Sequence, residues 1–303
     1  MTAQRSWIME GKELAQRLQQ QGASERIAIA DCRFWPLSEP SRGKKAFEEG
    51  HLPGAVYFDL NEDLSSPVEE HGGRHPLPDP VFFANKLSEA GITPDSTIVL
   101  YDEQGGSMAS RMWWLLQWVG HSGEAYVLDG GYGAWKQAGY PVEEGDANQP
   151  TLRDESVEEK RVHIEGSYPV KLRPELVVTM NEVRDRLHEP SVRLIDSREL
   201  PRYLGELEPI DPKAGHIPGA VNRFWMKSLN EAGQWKASEE QKPEWDALIG
   251  DAKEIIVYCG SGVTACPNVL SLWQAGYTHA KLYAGSWSDW VSYEENPVGT
   301  GEE

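Results

Sequence analysis

Cysteine is scarce in this chain, with only Cys32, Cys259 and Cys266 among 303 residues. So small and odd a number excludes a disulfide framework and suits a reducing compartment. Long apolar runs are absent too: nothing approaches the roughly 18 residues that cross a bilayer. The opening Met1-Thr2-Ala3-Gln4-Arg5-Ser6-Trp7 lacks the apolar core of a signal peptide. The expected location is the cytoplasm. Positive charge is also in deficit, because 29 Lys and Arg against 48 Asp and Glu leave a net charge of -19 with no basic patch. Nucleic acid and anionic membrane would be repelled, so neither is expected as a partner. No Cys-X2-4-Cys knuckle or His/Cys cluster appears, so no metal is expected, and no cofactor is implied.

What the chain has is length enough for two domains and twelve tryptophans to fill their cores. Its most informative stretch runs from Glu254 to Cys266. Ile255-Ile256-Val257-Tyr258 is an apolar run rich in β-branched residues, ending at Cys259; Gly260-Ser261-Gly262-Val263-Thr264-Ala265 follows, and then a segment of helical spacing. The pattern predicts strand, tight loop, helix. Glycines let successive N–H groups converge on one point, and the helix adds its positive end. A thiol at that point ionises more easily than a free cysteine, whose pKa is about 8.5. Pro267 suits the first helical turn and Gly276 the helix end.

The chain also repeats itself. Gly50-His51-Leu52-Pro53-Gly54-Ala55 returns as Gly215-His216-Ile217-Pro218-Gly219-Ala220, and Asp31-Cys32-Arg33 returns at the same offset as Asp196-Ser197-Arg198. Ile98 to Asp102 answers Ile255 to Cys259, and Leu128 to Trp135 answers Leu282 to Trp290. Each half alternates short apolar runs with helical stretches, as at Lys12 to Gln21, Val81 to Ala90 and Met180 to Leu187, the pattern of a parallel sheet covered by helices on both faces. The reading is an α/β chain of two tandem domains, 1–145 and 175–303, joined by a charged linker at 146–174. Asp102 stands at the cysteine position of the first domain, which therefore carries no nucleophile. Cys32 reads as structural, and Cys266 as a buried thiol that could pair with Cys259 only on oxidation.

Together these residues resemble the rhodanese family of sulfurtransferases in its tandem form, with the active cysteine in the second domain. The uncharged Cys259-Gly260-Ser261-Gly262-Val263-Thr264 loop resembles that of members acting on 3-mercaptopyruvate, whereas thiosulfate-specific members carry cations there. The resemblance implies two rhodanese-like domains and a Cys259 thiolate that takes sulfur from a small-molecule donor to become a persulfide. A thiol such as thioredoxin, or cyanide, then collects it by double displacement. Ser261 is the implied polariser of the donor carbonyl, with plain loop capping as the alternative. Gly260, Gly262, Val263 and Thr264 complete the substrate-binding loop, with Thr264 read first as a cap of the following helix and second as a substrate contact.

Arg202 matches the first of two family arginines that hold the donor's carboxylate. The second falls in Glu208-Pro209-Ile210-Asp211, where this chain has Ile210. Arg198 or Lys213 could compensate, although Arg198 could equally be a structural partner of a carboxylate. His51 matches a histidine suggested to work with the loop serine, but His216 in the same motif favours a structural role for both. A thiosulfate:cyanide sulfurtransferase using the same persulfide is the alternative activity. A phosphatase of related fold would need an arginine where Ala265 stands, and a carrier or binding module would need an unreactive loop thiol.

Overall fold

The structure, a computed structural model, describes residues 6–20, 27–35, 39, 41–145 and 168–302; most of the expected linker, 146–167, lies outside them. The chain divides into two compact units. One comprises Ile8–Leu64 and Pro78–Leu172, the other Met1–Trp7, Ser65–Leu77 and Arg173–Glu303.

In the first unit the elements are β1 (Ile8–Met9), α1 (Gly11–Gln20), β2 (Ile27–Asp31), α2 (Arg42–Glu49), β3 (Ala55–Tyr57), α3 (Pro80–Glu89), β4 (Thr97–Tyr101), α4 (Ser107–Trp118), β5 (Ala125–Leu128) and α5 (Gly131–Gln137). The strands lie in the order β1-β5-β4-β2-β3, every neighbouring pair parallel. Side chains alternate across a strand. Ile27, Ile29, Val99 and Tyr101 thus face one side, packing with Leu14, Phe47, Tyr132 and Trp135 of α1, α2 and α5. Ile98 and Leu100 face the other, where α4 packs on β4 and β5. Every residue of α4 is buried, Trp113 and Trp114 included. Burying a large apolar side chain stabilises by about 1.5–3 kcal/mol.

The second unit runs β6 (Val177–Val178), α6 (Met180–Asp185), β7 (Val192–Asp196), α7 (Leu200–Leu204), β8 (Val221–Asn222), α8 (Ser238–Ile249), β9 (Glu254–Tyr258), α9 (Cys266–Gln274), β10 (Lys281–Tyr283) and α10 (Ser286–Trp290). Its sheet has the order β6-β10-β9-β7-β8, again all parallel. Helices α6, α7 and α10 supply Met180, Val183, Tyr203, Trp287 and Trp290 to one face, with α8 and α9 packed together and α9 against β9 and β10. The strand order repeats that of the first unit position for position.

The shared motifs have the same structural task in both units. Strands β2 and β7 end in an aspartate, onto which the arginine two residues later folds back. Arg33 Nε donates to both Asp31 oxygens at 3.0 and 2.9 Å, and Nη2 donates to Asp31 at 2.6 Å and to the Gly50 carbonyl at 2.7 Å. Arg198 does the same with Asp196 at 3.1, 3.1 and 2.6 Å and with the Gly215 carbonyl at 2.6 Å. The remaining Arg198 nitrogen, Nη1, donates to Glu208 at 3.2 Å. These ion pairs are buried. A buried pair offsets its desolvation only when the leftover donors are satisfied, which the glycine carbonyls ensure.

The histidine of each Gly-His-X-Pro-Gly-Ala motif is anchored just as similarly. His51 Nδ1–H donates to the Phe47 carbonyl at 2.8 Å and the ring stacks on Phe47 at 3.8 Å; His216 Nδ1–H donates to the Tyr203 carbonyl at 2.8 Å and stacks on Tyr203 at 3.9 Å. A carbonyl can only accept, so Nδ1 carries the proton in both.

Arg198 is therefore a structural partner of Asp196. Replacing it by Met (Arg198→Met) keeps the volume but strands the buried Asp196 carboxylate, and is expected to cost about 3–5 kcal/mol. Urea unfolding would check this, and a loss under about 1 kcal/mol would show that the arginine is not holding β7 to the Gly215 turn.

Candidate active site

Strand β9 delivers Cys259 to the carboxyl edge of its sheet, where open α/β folds place their ligands. The side chain is almost fully buried. The loop 259–265 then turns back, so that the Gly262 N–H donates to Cys259 Sγ at 3.2 Å. Gly262 has φ +77°, and a Cβ there would lie 2.0 Å from the Ala284 carbonyl oxygen. No other residue fits that turn without moving β10's exit. From the far side α10 fastens the loop: Ser286 Oγ accepts the Cys259 N–H at 3.1 Å, while the N–H groups of Trp287 and Ser288 reach the carbonyls of Cys259 and Gly260 at 3.0 Å each.

Helix α9 begins at Cys266, with Ala265 at its N-cap and no side-chain cap, so Thr264 does not have the capping role expected of it. Pro267 occupies the first turn. The buried Cys266 thiol donates to the Gly262 carbonyl at 3.4 Å, tying the helix to the loop. Cys32 belongs to the first unit, with Sγ 3.7 Å from Met112 Sδ; burial, and then the charges of Asp31 and Asp102, push its thiol well above the ordinary range.

The corresponding loop of the first unit shows what this backbone is shaped for. Asp102 directs its carboxylate into it and accepts four backbone N–H groups, from Gln104, Gly106, Met108 and Ala109, at 2.9, 2.8, 2.7 and 3.0 Å. Complete burial raises this carboxyl and the amides oppose the rise. The turn between such a strand and helix is an anion cradle made of backbone. In the first unit it is filled by an aspartate; in the second its opening residue is a cysteine.

Ser261 and Arg202 both lie at this loop. Ser261 is buried, and its Oγ is hydrogen-bonded to His75 Nδ1 at 2.8 Å. Arg202, on α7, grips Glu208 through Nε at 3.1 Å and Nη2 at 2.7 Å and reaches Asp211 at 3.2 Å. A second guanidinium, that of Arg74, is hydrogen-bonded to the other Asp211 oxygen. Both arginines face the loop, since a methyl group on Gly260 would lie 2.9 Å from Arg74 Nη2 and 3.6 and 3.7 Å from Arg202 Nη2 and Nη1. Gly260 makes room for them.

Arg74 and His75 were not among the sequence-based candidates. They lie in Ser65–Leu77, which packs with the second unit although it precedes α3 in sequence. Docking is against α10: Gly72 N–H donates to Asp289 at 2.7 Å, Arg74 N–H to Ser288 Oγ at 3.1 Å, and His71 stacks on Tyr293 at 4.0 Å. At Gly73, φ +80°, a Cβ would collide with the Gly285 carbonyl at 2.4 Å. The available signal was Gly72-Gly73-Arg74-His75-Pro76, an arginine and a histidine bracketed by glycine and proline with no counterpart in the second half. The imidazole beside Ser261 is thus that of His75, and His51 is committed to Phe47.

Carboxylates counterbalance the arginines. Burial pushes Glu208 up, but hydrogen bonds from Arg202 and from the N–H groups of Asp211 and Ile210 outweigh it, leaving its carboxyl below the ordinary range. Asp211 is raised by burial, which the charge of Arg74 opposes and that of Glu208 reinforces. Among the described residues no group of His, Cys, Asp and Glu is placed to hold a metal ion, and no helix is long and apolar enough to cross a membrane.

Comparison with known proteins agrees with this geometry. The rhodanese-like domain matches twice, over residues 11–138 and 179–293. A Pseudomonas aeruginosa protein named "Probable 3-mercaptopyruvate sulfurtransferase" is 40% identical over 298 residues, covering 97% of this chain and 98% of that one. The thiosulfate sulfurtransferase of Gallus gallus is 30% identical over 288 residues, covering 93% and 92%. The crystal structure of SseA from Escherichia coli, described with the 3-mercaptopyruvate sulfotransferases, superposes with a TM-score of 0.76 at 32% identity, covering 94% of this chain and 100% of that one. With a backbone cradle opened by a cysteine, and similarity over nearly its full length, the chain belongs to the rhodanese-like family and is a sulfurtransferase.

Proposed function

We propose that the chain transfers sulfane sulfur from 3-mercaptopyruvate to a thiol or cyanide through a persulfide on Cys259. The Cys259 thiolate attacks the donor's sulfur; the S–S bond forms as the C–S bond breaks, and its electron pair passes to the pyruvate enolate, which takes up a proton to become pyruvate. The loop amides that surround an aspartate in the first unit stabilise the outer persulfide sulfur in the second. A thiol such as thioredoxin, or cyanide, then attacks that sulfur and restores the thiolate, in a cytoplasmic setting consistent with free cysteines. The pairing of Arg74 with Arg202 supplies the two-armed grip on a carboxylate that Ile210 removes from its expected place.

The observation that carries the choice of donor is the 2.8 Å hydrogen bond between Ser261 and His75. A hydroxyl backed by an imidazole can polarise a keto oxygen and deliver a proton to a departing enolate. Sulfite, the leaving group from thiosulfate, has no carbonyl and leaves without needing a carbon protonated. Charge points the same way. The loop 259–265 itself carries no cation to meet a compact dianion at the sulfur.

The test is a steady-state assay with each donor and cyanide as acceptor, using Cys259→Ser as the blank. Wild type should favour 3-mercaptopyruvate in kcat/KM, and mass spectrometry after donor treatment without acceptor should show one added sulfur on Cys259. Preference for thiosulfate would overturn the assignment in favour of a thiosulfate:cyanide sulfurtransferase.

The relay has its own signature. Ser261→Ala and His75→Ala should each lower kcat/KM for 3-mercaptopyruvate by about 100-fold or more, the scale of general acid–base assistance, while turnover of thiosulfate stays within about threefold. Equal losses with both donors would mean that the pair merely supports the loop.

A further inference from the structure

Asp211 has no evident structural duty comparable to that of its neighbour. Glu208 is built in: it accepts from Arg202, from Arg198 and from two backbone N–H groups. The hydrogen bonds of the Asp211 carboxylate go to Arg202 Nη2 and Arg74 Nη1, the two guanidiniums that face Gly260. Its side chain is only 4% exposed, whereas that of Arg74 is 31% exposed and so open to solvent. Its backbone is fixed independently, because the Asp211 N–H donates to Glu208 Oε1 at 3.1 Å. The turn's backbone is thus held by a contact in which the Asp211 carboxylate takes no part.

We infer that Asp211 is an internal stand-in for the donor's carboxylate: it occupies the Arg74–Arg202 pair in the free protein, must be displaced when a carboxylate donor binds, and so sets the affinity and selectivity of the site for anions. The inference rests on the proposed role of these arginines in holding a carboxylate. An aspartate side chain and the carboxylate end of a 2-oxo acid offer the same two oxygens to the same forks. Burial already disfavours the charge on Asp211, which makes it the more replaceable of the two carboxylates. An incoming anion competes with an internal one, and its apparent affinity falls by the fraction of protein in which the pair is vacated. Anions unable to use both forks would not repay the exchange, so the device filters by geometry as well as charge.

The experiment measures binding of pyruvate to the full chain by titration calorimetry for wild type, Asp211→Asn and Asp211→Ser, alongside steady-state kinetics with 3-mercaptopyruvate. Removing the competitor should tighten pyruvate about tenfold and lower KM for the donor by a similar factor, with kcat within about twofold, as expected for a vacated competent state. The serine variant, shorter and unable to pair with both arginines, guards against an effect peculiar to asparagine. Unchanged or weaker pyruvate binding in the folded variants would overturn the inference and make Asp211 a brace for the arginines. The donor assignment fails separately: if wild type does not use 3-mercaptopyruvate yet both variants bind pyruvate more tightly, the internal competitor stands and only the donor is wrong.

Discussion

Backbone amides converging on a negative group at the end of a central strand are the constraint on which the rest of this molecule depends. Unpaired buried N–H groups are costly, so a loop that points several of them inward needs an anion to face. Asp102 meets that need by itself with four hydrogen bonds. At Cys259 the Gly262 amide points to sulfur instead. The two turns thus differ at the residue that opens them, a carboxylate held by four amides in one and a thiol facing the Gly262 amide in the other.

The likeness of the two units acts as an internal control. Whatever both possess serves the fold: the arginine stitched to the strand-terminal aspartate, the histidine stacked on Phe47 or Tyr203, and the tyrosine hydroxyl that receives an amide of the Gly-His-X-Pro motif, from Leu52 at 3.2 Å and Ile217 at 3.1 Å. What only the second possesses is Cys259, Ser261, Arg202 and the residues that Ser65–Leu77 brings to them. Judged in this way, Arg198 and His51 fall on the structural side, although each has the residue type a binding site would use.

Much of this was legible in the sequence because it is written in local patterns. Apolar runs of four or five residues gave β4 and β9 within a residue or two, and the helices α1, α3 and α6 lie close to their expected spans. Cys259, its glycine turn and Pro267 were readable because strand, loop and helix follow one another in the chain. Arg74 and His75 were not, since nothing local to Gly72-Gly73-Arg74-His75-Pro76 says that it will dock on α10, more than 200 positions away (289 less 72). Arg198 was ambiguous for a related reason: only the tertiary position of the Gly215 carbonyl shows that all its donors are taken. Ile210 stands where the resemblance expects a second arginine, and the guanidinium that reaches Asp211 beside Arg202 comes instead from Arg74, far away in the sequence.

The docking of that segment explains why α10 is short, polar at its start and buried. Its Ser286, Trp287 and Ser288 hold Cys259 and Gly260 on one side, while Ser288 and Asp289 receive the amides of Arg74 and Gly72 on the other. Asp289 is further committed to the Tyr283 hydroxyl at 2.7 Å, which anchors the helix to the end of β10. Cys259, Ser261 and His75 are thereby referenced to one short helix, although they come from distant parts of the sequence. Alignment within about half an ångström is what acid–base assistance demands, and two flexible loops set independently would not hold it. A common fastening to α10 makes the distance between Ser261 and His75 a property of the fold.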